Sequence, residues 1–244
     1  MCTVSWLPQP DGYTVCCNRD ERLTRGPARP PEIHSADGVR FLAPLDSDHG
    51  GTWIAVNEFG LALTLLNRYQ LSSPPPAQPR SRGLVLLELA PAPSLAEAAA
   101  RLARLELIRV ASFTLVAVEP GRPAAVTSWD GRRLATTLLE ASGLIATSSA
   151  VSPEEVLHSR RELFTRAQPL TPERLTALHR SHDPESGPRS VCMHRADAET
   201  RSFTRVTVVD TVIELTHVPT APCRGTALPR LALPRRQPSG SVTE

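Results

Sequence analysis

The 244-residue chain is 41% hydrophobic and 21% charged, with a formal net charge of +2. That composition fits one large domain or two small ones, with a core large enough to need no disulfide or metal staple. All 27 basic residues are arginine, which excludes Schiff-base chemistry, a P-loop and lysine-borne carriers such as biotin.

Five Phe, three Trp and two Tyr are too few for the stacking platforms that hold single-stranded nucleic acid, so no nucleic acid partner is expected. Cys2, Cys16, Cys17, Cys192 and Cys223 form an odd set without a C-x-x-C pair, so neither a metal nor a redox motif is read from them. No secretory signal opens the chain, and no apolar run approaches the ~20 residues of a membrane span. A reducing cytoplasm is the expected compartment.

In chain order, Cys2–Leu7 and Tyr13–Cys17 are β-rich runs flanking a turn at Pro8-Gln9-Pro10-Asp11-Gly12. Thr52–Asn57 and Leu61–Leu66 flank Glu58-Phe59-Gly60 in the same way. Gly26–Pro44 is proline-rich without a clear period and is expected to be loop, as is Ser72–Pro79. Helices are predicted at Ser81–Leu89 and Ser94–Leu107, the second opened by a Ser94-x-x-Glu97 capping box.

Strands are predicted at Ser112–Val118, Ala124–Trp129 and Leu134–Leu139, the last two joined through Asp130-Gly131. Gly143–Thr147 is a further short strand. Ser152-Pro153 and Thr171-Pro172 open two helices that run to about Ala167 and Arg180. Strands follow at Ser190–Arg195, Thr200–Val209 and Thr211–Val218, and residues 224–244 are expected to be a disordered tail behind one domain of 1–223. Leu61–Leu66 and Leu115–Val118 are nearly continuous apolar runs, as in strands buried on both faces. Alternating blocks of hairpins and helices predict an α+β fold with antiparallel sheets and outer helical layers.

Cys2 is the sharpest chemical feature. Removal of Met1, favoured by a small residue at position 2, places a thiol and a free α-amine on one residue. The amine, with an ordinary pKa of ~7.7–8.0, is suited to act as a base near neutrality, and the thiol is a strong nucleophile. The same position also suits a small buried hydrophobe at a strand end. Asn18-Arg19-Asp20-Glu21 follows the partner strand, so antiparallel pairing brings it back beside Cys2. There a carboxylate would orient the amine, and an arginine would lower the thiol pKa or hold a substrate carboxylate; a solvated charged loop is the alternative. Asn67 ends an apolar strand, where its amide could donate to an oxyanion or cap a turn.

Cys192 and His194 are two apart, on one face if their segment is a strand. His179 and His182 have helix-face spacing but no third ligand signal, and no metal site is expected. Gly50-Gly51 lacks a dinucleotide fingerprint and reads as backbone crowding before a strand.

Met1-Cys2-Thr3, Asn18-Arg19-Asp20-Glu21, Gly50-Gly51-Thr52-Trp53 and Leu66-Asn67-Arg68-Tyr69 together resemble the NRDE family, which includes the transport and Golgi organization protein. Ser81-Arg82-Gly83 and Ser190-Val191-Cys192-Met193-His194 also look like bacterial members. The family is similar to cysteine-type N-terminal nucleophile hydrolases such as penicillin V acylase, bile salt hydrolase and isopenicillin N acyltransferase. The resemblance implies a four-layer αββα sandwich and hydrolysis or acyl transfer at a non-peptide amide, without a cofactor. It implies Cys2 as nucleophile, Asp20 as the carboxylate of an N-x-D motif and Asn67 as the oxyanion asparagine, with Arg19 beside them. Asn18, Arg68 and His194 are assigned to binding an amide, acyl or lipid-like small molecule.

Two departures stand out: Cys17 rather than arginine precedes Asn18, and Gly143–Ala150 supplies Ser148 and Ser149 where a second asparagine is expected. The alternative implied by the resemblance is a non-catalytic lipid- or haem-handling protein that keeps the fold and the pocket.

Overall fold

The computed structural model describes residues 2–69, 79–149 and 152–237. Its first strands, β1 (Cys2–Gln9) and β2 (Gly12–Arg22), pair antiparallel about a turn at Pro10-Asp11. Next come β3 (Arg29–Ala36), β4 (Val39–Leu45), β5 (Ile54–Asn57) and β6 (Ala62–Asn67). Helices α1 (Arg82–Leu89) and α2 (Leu95–Arg104) precede strands β7 (Phe113–Val118), β8 (Ala124–Trp129), β9 (Leu134–Leu139) and β10 (Gly143–Thr147). Helices α3 (Pro153–Arg166) and α4 (Pro172–His179) and strands β11 (Ala198–Val208), β12 (Val212–Val218) and β13 (Leu231–Pro234) complete the order.

The strands form two antiparallel sheets, ordered β10-β1-β2-β11-β12-β13 and β3-β4-β5-β6-β7-β8-β9. Their facing sides share one core that includes Val4, Val15, Val206 and Leu215 from the first sheet and Ile54, Val56, Leu66 and Val116 from the second. Because side chains alternate along a strand, the opposite faces are buried separately. Leu63, Leu65 and Leu115 pack with Val85, Leu86 and Leu102 of α1 and α2. Cys16 and Phe203 pack with Leu175 of α4, and Leu144 and Ala146 with Leu178. The result is the four-layer αββα sandwich that the family resemblance implies. Half of the expected capping box forms: the Glu97 N–H donates to Ser94 Oγ at 3.2 Å, while the Glu97 carboxylate accepts from Arg101 Nε at 3.1 Å.

Three stretches depart from expectation. Gly26–Pro44 is not loop but holds β3 and most of β4. Pro30 and Pro31 are tolerated because β3 is an edge strand, and its register slips between Arg29 and Glu32. Asp37 and Gly38, with φ of 51° and 71°, make the tight Asp-Gly hairpin turn that joins the two strands. Ser190–Arg195 is not a strand; it contributes one isolated bridge, His194 to Glu199. The expected tail instead returns to the first sheet, where Leu231–Pro234 pairs with β12. The predicted loop Ser72–Pro79, apart from Pro79, and residues 238–244 lie outside the described residues.

Candidate active site

A cleft of about 250 Å³ opens where the start of β1, the end of β6 and the start of α1 converge. Cys2, Arg19, Asp20, Trp53, Asn67 and Arg82 are among the residues that line it. Cys2 opens β1 with its Cα opposite Arg19 of β2 on one side and Thr147 of β10 on the other. Its side chain is almost wholly buried. Burial pushes the thiol pKa up and Asp20 adds to the rise, while the amino-terminal charge, the Asp20 backbone N–H and Arg19 oppose it.

Asn18-Arg19-Asp20 lies within β2, not in a loop after it, and all three residues are buried. Such a run survives in a central strand because each polar group has a partner. Arg19 Nη2 donates to Asp46 Oδ2 at 2.6 Å, and its guanidinium lies 4.7 Å from the centre of the Trp53 ring. Asp46 also receives Arg25 Nη2 at 2.9 Å and the backbone N–H groups of Asp48 and His49. Burial alone would raise the Asp46 pKa, but Arg25 and Arg19 hold it below the ordinary value. The pair therefore stays ionised at the cleft wall.

Asp20 points to the other face of the sheet, under the helices. Its Oδ1 accepts from Thr200 Oγ1 at 2.6 Å, and its Oδ2 lies 3.6 Å from Arg160 Nη1 of α3. Burial raises its pKa, and Arg160, the amino terminus and Thr200 counter that rise. Arg160 itself is fully buried and also donates to Thr3 Oγ1 at 2.6 Å. A guanidinium thus holds the carboxylate from behind, one strand position from Cys2's partner.

Asn67 ends β6 opposite Phe113, and its Nδ2 donates to the Tyr69 hydroxyl at 3.2 Å. The cleft wall between α1 and the stretch that leads into β5 depends on two glycines. A Cβ on Gly51 would meet the Gly83 carbonyl carbon at 2.6 Å, and one on Gly83 would meet the Thr52 nitrogen at 2.7 Å. That close approach accounts for the crowding read from Gly50-Gly51, and it brings Arg82 to the cleft. Arg82 Nη1 donates to the Ser112 carbonyl at 3.2 Å, and among the described residues no carboxylate lies within ion-pair reach of it. The Trp53 indole N–H is buried and has no hydrogen-bond partner among the described residues.

The structure thus brings Cys2, Arg19, Asp20 and Asn67 to one cleft. It does not bring Asn18, Arg68 or His194 there. Asn18 Nδ2 donates to the carbonyls of His179 and Val191, both at 2.9 Å, which ties β2 to α4 and to the 190s segment. Its Oδ1 is then the acceptor for His179 Nδ1–H at 3.1 Å, so His179 Nε2 accepts from the Ser5 hydroxyl at 2.8 Å. Arg160 and Asp46 hold the site's charges but have no spacing signal in the sequence that singles them out, whereas Trp53 falls within the Gly50-Gly51-Thr52-Trp53 motif.

A sequence profile described as Transport and Golgi organisation 2 matches residues 1–170. The chain belongs to this family. The match spans Cys2, Arg19, Asp20, Asn67 and Arg160. Comparison with curated protein sequences gives no match.

The fold of this family member is similar to that of a Caenorhabditis elegans N-acylethanolamine-hydrolyzing acid amidase ortholog, with TM-score 0.59 and 7% identity over 84% of this chain and 92% of that one. The conjugated bile acid hydrolase of Clostridium perfringens gives TM-score 0.51 and 11% identity over 98% and 97% of the two chains. Penicillin V acylase from Agrobacterium tumefaciens gives 0.50 and 12% over 88% and 82%. At these identities the likeness is one of fold, that of the N-terminal nucleophile hydrolases. No helix among the described residues is long and apolar enough to cross a membrane.

Proposed function

We propose that this family member is an amide hydrolase or acyltransferase that acts on a non-peptide C–N bond through Cys2, exposed as the amino-terminal residue after removal of Met1. The observation that carries this reading is the convergence of Cys2, Arg19, Asp20 and Asn67 on one cleft of a fold shared with amidohydrolases.

Cys2 Sγ attacks the substrate carbonyl carbon while its own α-amine takes the thiol proton. The Asn67 amide donates to the oxyanion that forms. Collapse of the tetrahedral adduct expels the leaving amine, which receives the proton from the α-ammonium, and leaves a thioester on Cys2. Water or an acceptor amine then attacks the thioester and restores the thiol. Asp20, held by Arg160 and Thr200, orients the α-amine.

The cleft is smaller than the ~300–1,000 Å³ of a typical ligand pocket, so it takes the scissile group and one flank of the substrate. Arg82, without a carboxylate partner among the described residues, suits an anionic or carbonyl-bearing flank. Mixing the purified chain with activated esters and amides tests the reading by intact mass: an acyl adduct on Cys2 that turns over supports it.

A second reading is favoured by one observation: the buried Cys2 thiol has a raised pKa. In that case the cleft binds a lipid-like or haem-like ligand without turnover. Saturable binding that is unchanged in Cys2→Ala, with no adduct, would select this reading.

A further inference from the structure

Outside the lining of the cleft, His182, Cys192, His194 and Cys223 come together from three separate stretches of chain. His182 follows α4, Cys192 and His194 sit in the 190s segment, and Cys223 lies in the turn after β12. One side-chain ligand atom from each lies within 4.8 Å of every other. Cys192 Sγ is 3.6 Å and Cys223 Sγ 3.4 Å from His194 Nε2. The S···N edge of a tetrahedral zinc site with Zn–S ~2.3 Å and Zn–N ~2.05 Å is about 3.6 Å. The geometry points to a Zn²⁺ site of the Cys₂His₂ type, formed by these four residues.

Three observations support a built site over chance proximity. His182 Nε2 is buried and has no hydrogen-bond partner among the described residues, an orphan that a metal bond would satisfy. On its other side His194 turns Nδ1 towards the Glu199 carboxylate, whose Oε2 lies 3.6 Å away. A carboxylate behind a ligating histidine fixes the ring and makes it a better donor. The backbone is also pinned: the Cys192 N–H donates to the Ser181 carbonyl at 3.0 Å, which fixes the stretch before His182 against Cys192. Two thiolates and two neutral imidazoles favour zinc over the harder magnesium and calcium. Binding releases the two thiol protons to solvent and leaves the site without net charge.

The site has a structural consequence for the cleft. Met193, between two of the ligands, donates its backbone N–H to Thr200 Oγ1 at 2.8 Å, and that same hydroxyl donates to Asp20 at 2.6 Å. Zinc would hold the 190s segment, which makes a single isolated bridge among the described residues, in the position from which Thr200 fixes Asp20. None of the four ligands lines the cleft, so the zinc is structural and leaves Cys2 chemistry to Cys2.

The test is metal analysis of the untagged full chain, purified under reducing conditions with zinc present and then gel-filtered. The expected result is about one zinc per chain. Cobalt added to the metal-free chain should give intense tetrahedral d–d bands and thiolate-to-metal charge-transfer bands. Cys223→Ser should lower zinc retention at least about tenfold with its circular dichroism unchanged. If that variant fails to fold, the cobalt spectrum of the unsubstituted chain still decides. The proposal is overturned by less than about a tenth of a zinc per chain, by an octahedral cobalt spectrum without charge-transfer bands, or by a Cys192–Cys223 disulfide that persists in reductant.

Discussion

Asp20 Oδ2 and Arg160 Nη1 face each other at 3.6 Å with both side chains wholly buried. Strand β2 and helix α3 are thereby joined directly behind the cleft, at the carboxylate proposed to orient the α-amine. A buried pair of this kind gains little over an apolar replacement of both partners, but loss of one partner leaves an uncompensated charge. Arg160→Leu should therefore cost about 3–5 kcal/mol in a urea melt. Adding Asp20→Asn should recover part of that loss. Strictly additive losses in the double variant would show that the two groups do not act as a pair.

Asn67→Ala separates two roles for the amide. As oxyanion donor it should lower the rate of Cys2 acylation by ~10²-fold or more with the melting midpoint almost unchanged. As a turn cap it would cost about 1 kcal/mol and leave acylation intact. Single-turnover acylation beside a thermal melt reads both. Its bond to Tyr69 can be removed separately by Tyr69→Phe, which should leave the acylation rate within about threefold of the unsubstituted chain.

For Arg82, which lines the cleft, the proposed role is to choose substrates rather than to drive the chemistry. Arg82→Gln should raise KM for substrates with an anionic flank by about tenfold and leave neutral analogues nearly unaffected. An equal loss on both substrate types would assign Arg82 to holding the α1 end of the cleft through Ser112.

Stability should fall with acid because of His179. Burial, with a smaller push from Arg160, lowers its pKa from 6.5 to about 3. The unfolded chain takes up a proton near pH 6.5 and the folded chain does not, so stability is full above that pH and drains away as pH falls towards 3. His217, lowered to about 4 by burial and Arg19, adds in the same direction. The combined loss between pH 7 and 4 is on the order of several kcal/mol. His179→Gln should flatten the profile of melting midpoint against pH in that window. An unchanged slope would remove His179 as a cause.

The layered fold was legible because the strands between two cores are apolar on both faces, as in Leu61–Leu66. The placing of Cys2 and Asn67 at strand ends was legible from the apolar runs that they bound, while Asp20 was singled out by the family motif alone. The edge strand β3 was hidden by Pro30 and Pro31, although Asp37-Gly38 carried a hairpin signal. Arg19 and Asp20 looked like loop charges because their partners, Asp46, Thr200 and Arg160, come from distant stretches of sequence. The four proposed zinc ligands were hidden for the same reason. Their order, with nine residues between His182 and Cys192, one between Cys192 and His194, and 28 between His194 and Cys223, matches no short finger motif.

The central claim is that Cys2, as the amino-terminal residue, forms a thioester. The most direct measurement is intact mass with peptide mapping of the chain from a bacterial host, before and after brief exposure to an activated acyl donor. The account predicts a mass lower by one methionine and a single acyl group on the amino-terminal peptide. That acyl group should be absent in Cys2→Ala and lost again on standing as the thioester turns over. Retention of Met1 in most molecules, or acylation at Cys16, Cys192 or Cys223 with Cys2 unmodified, would contradict it.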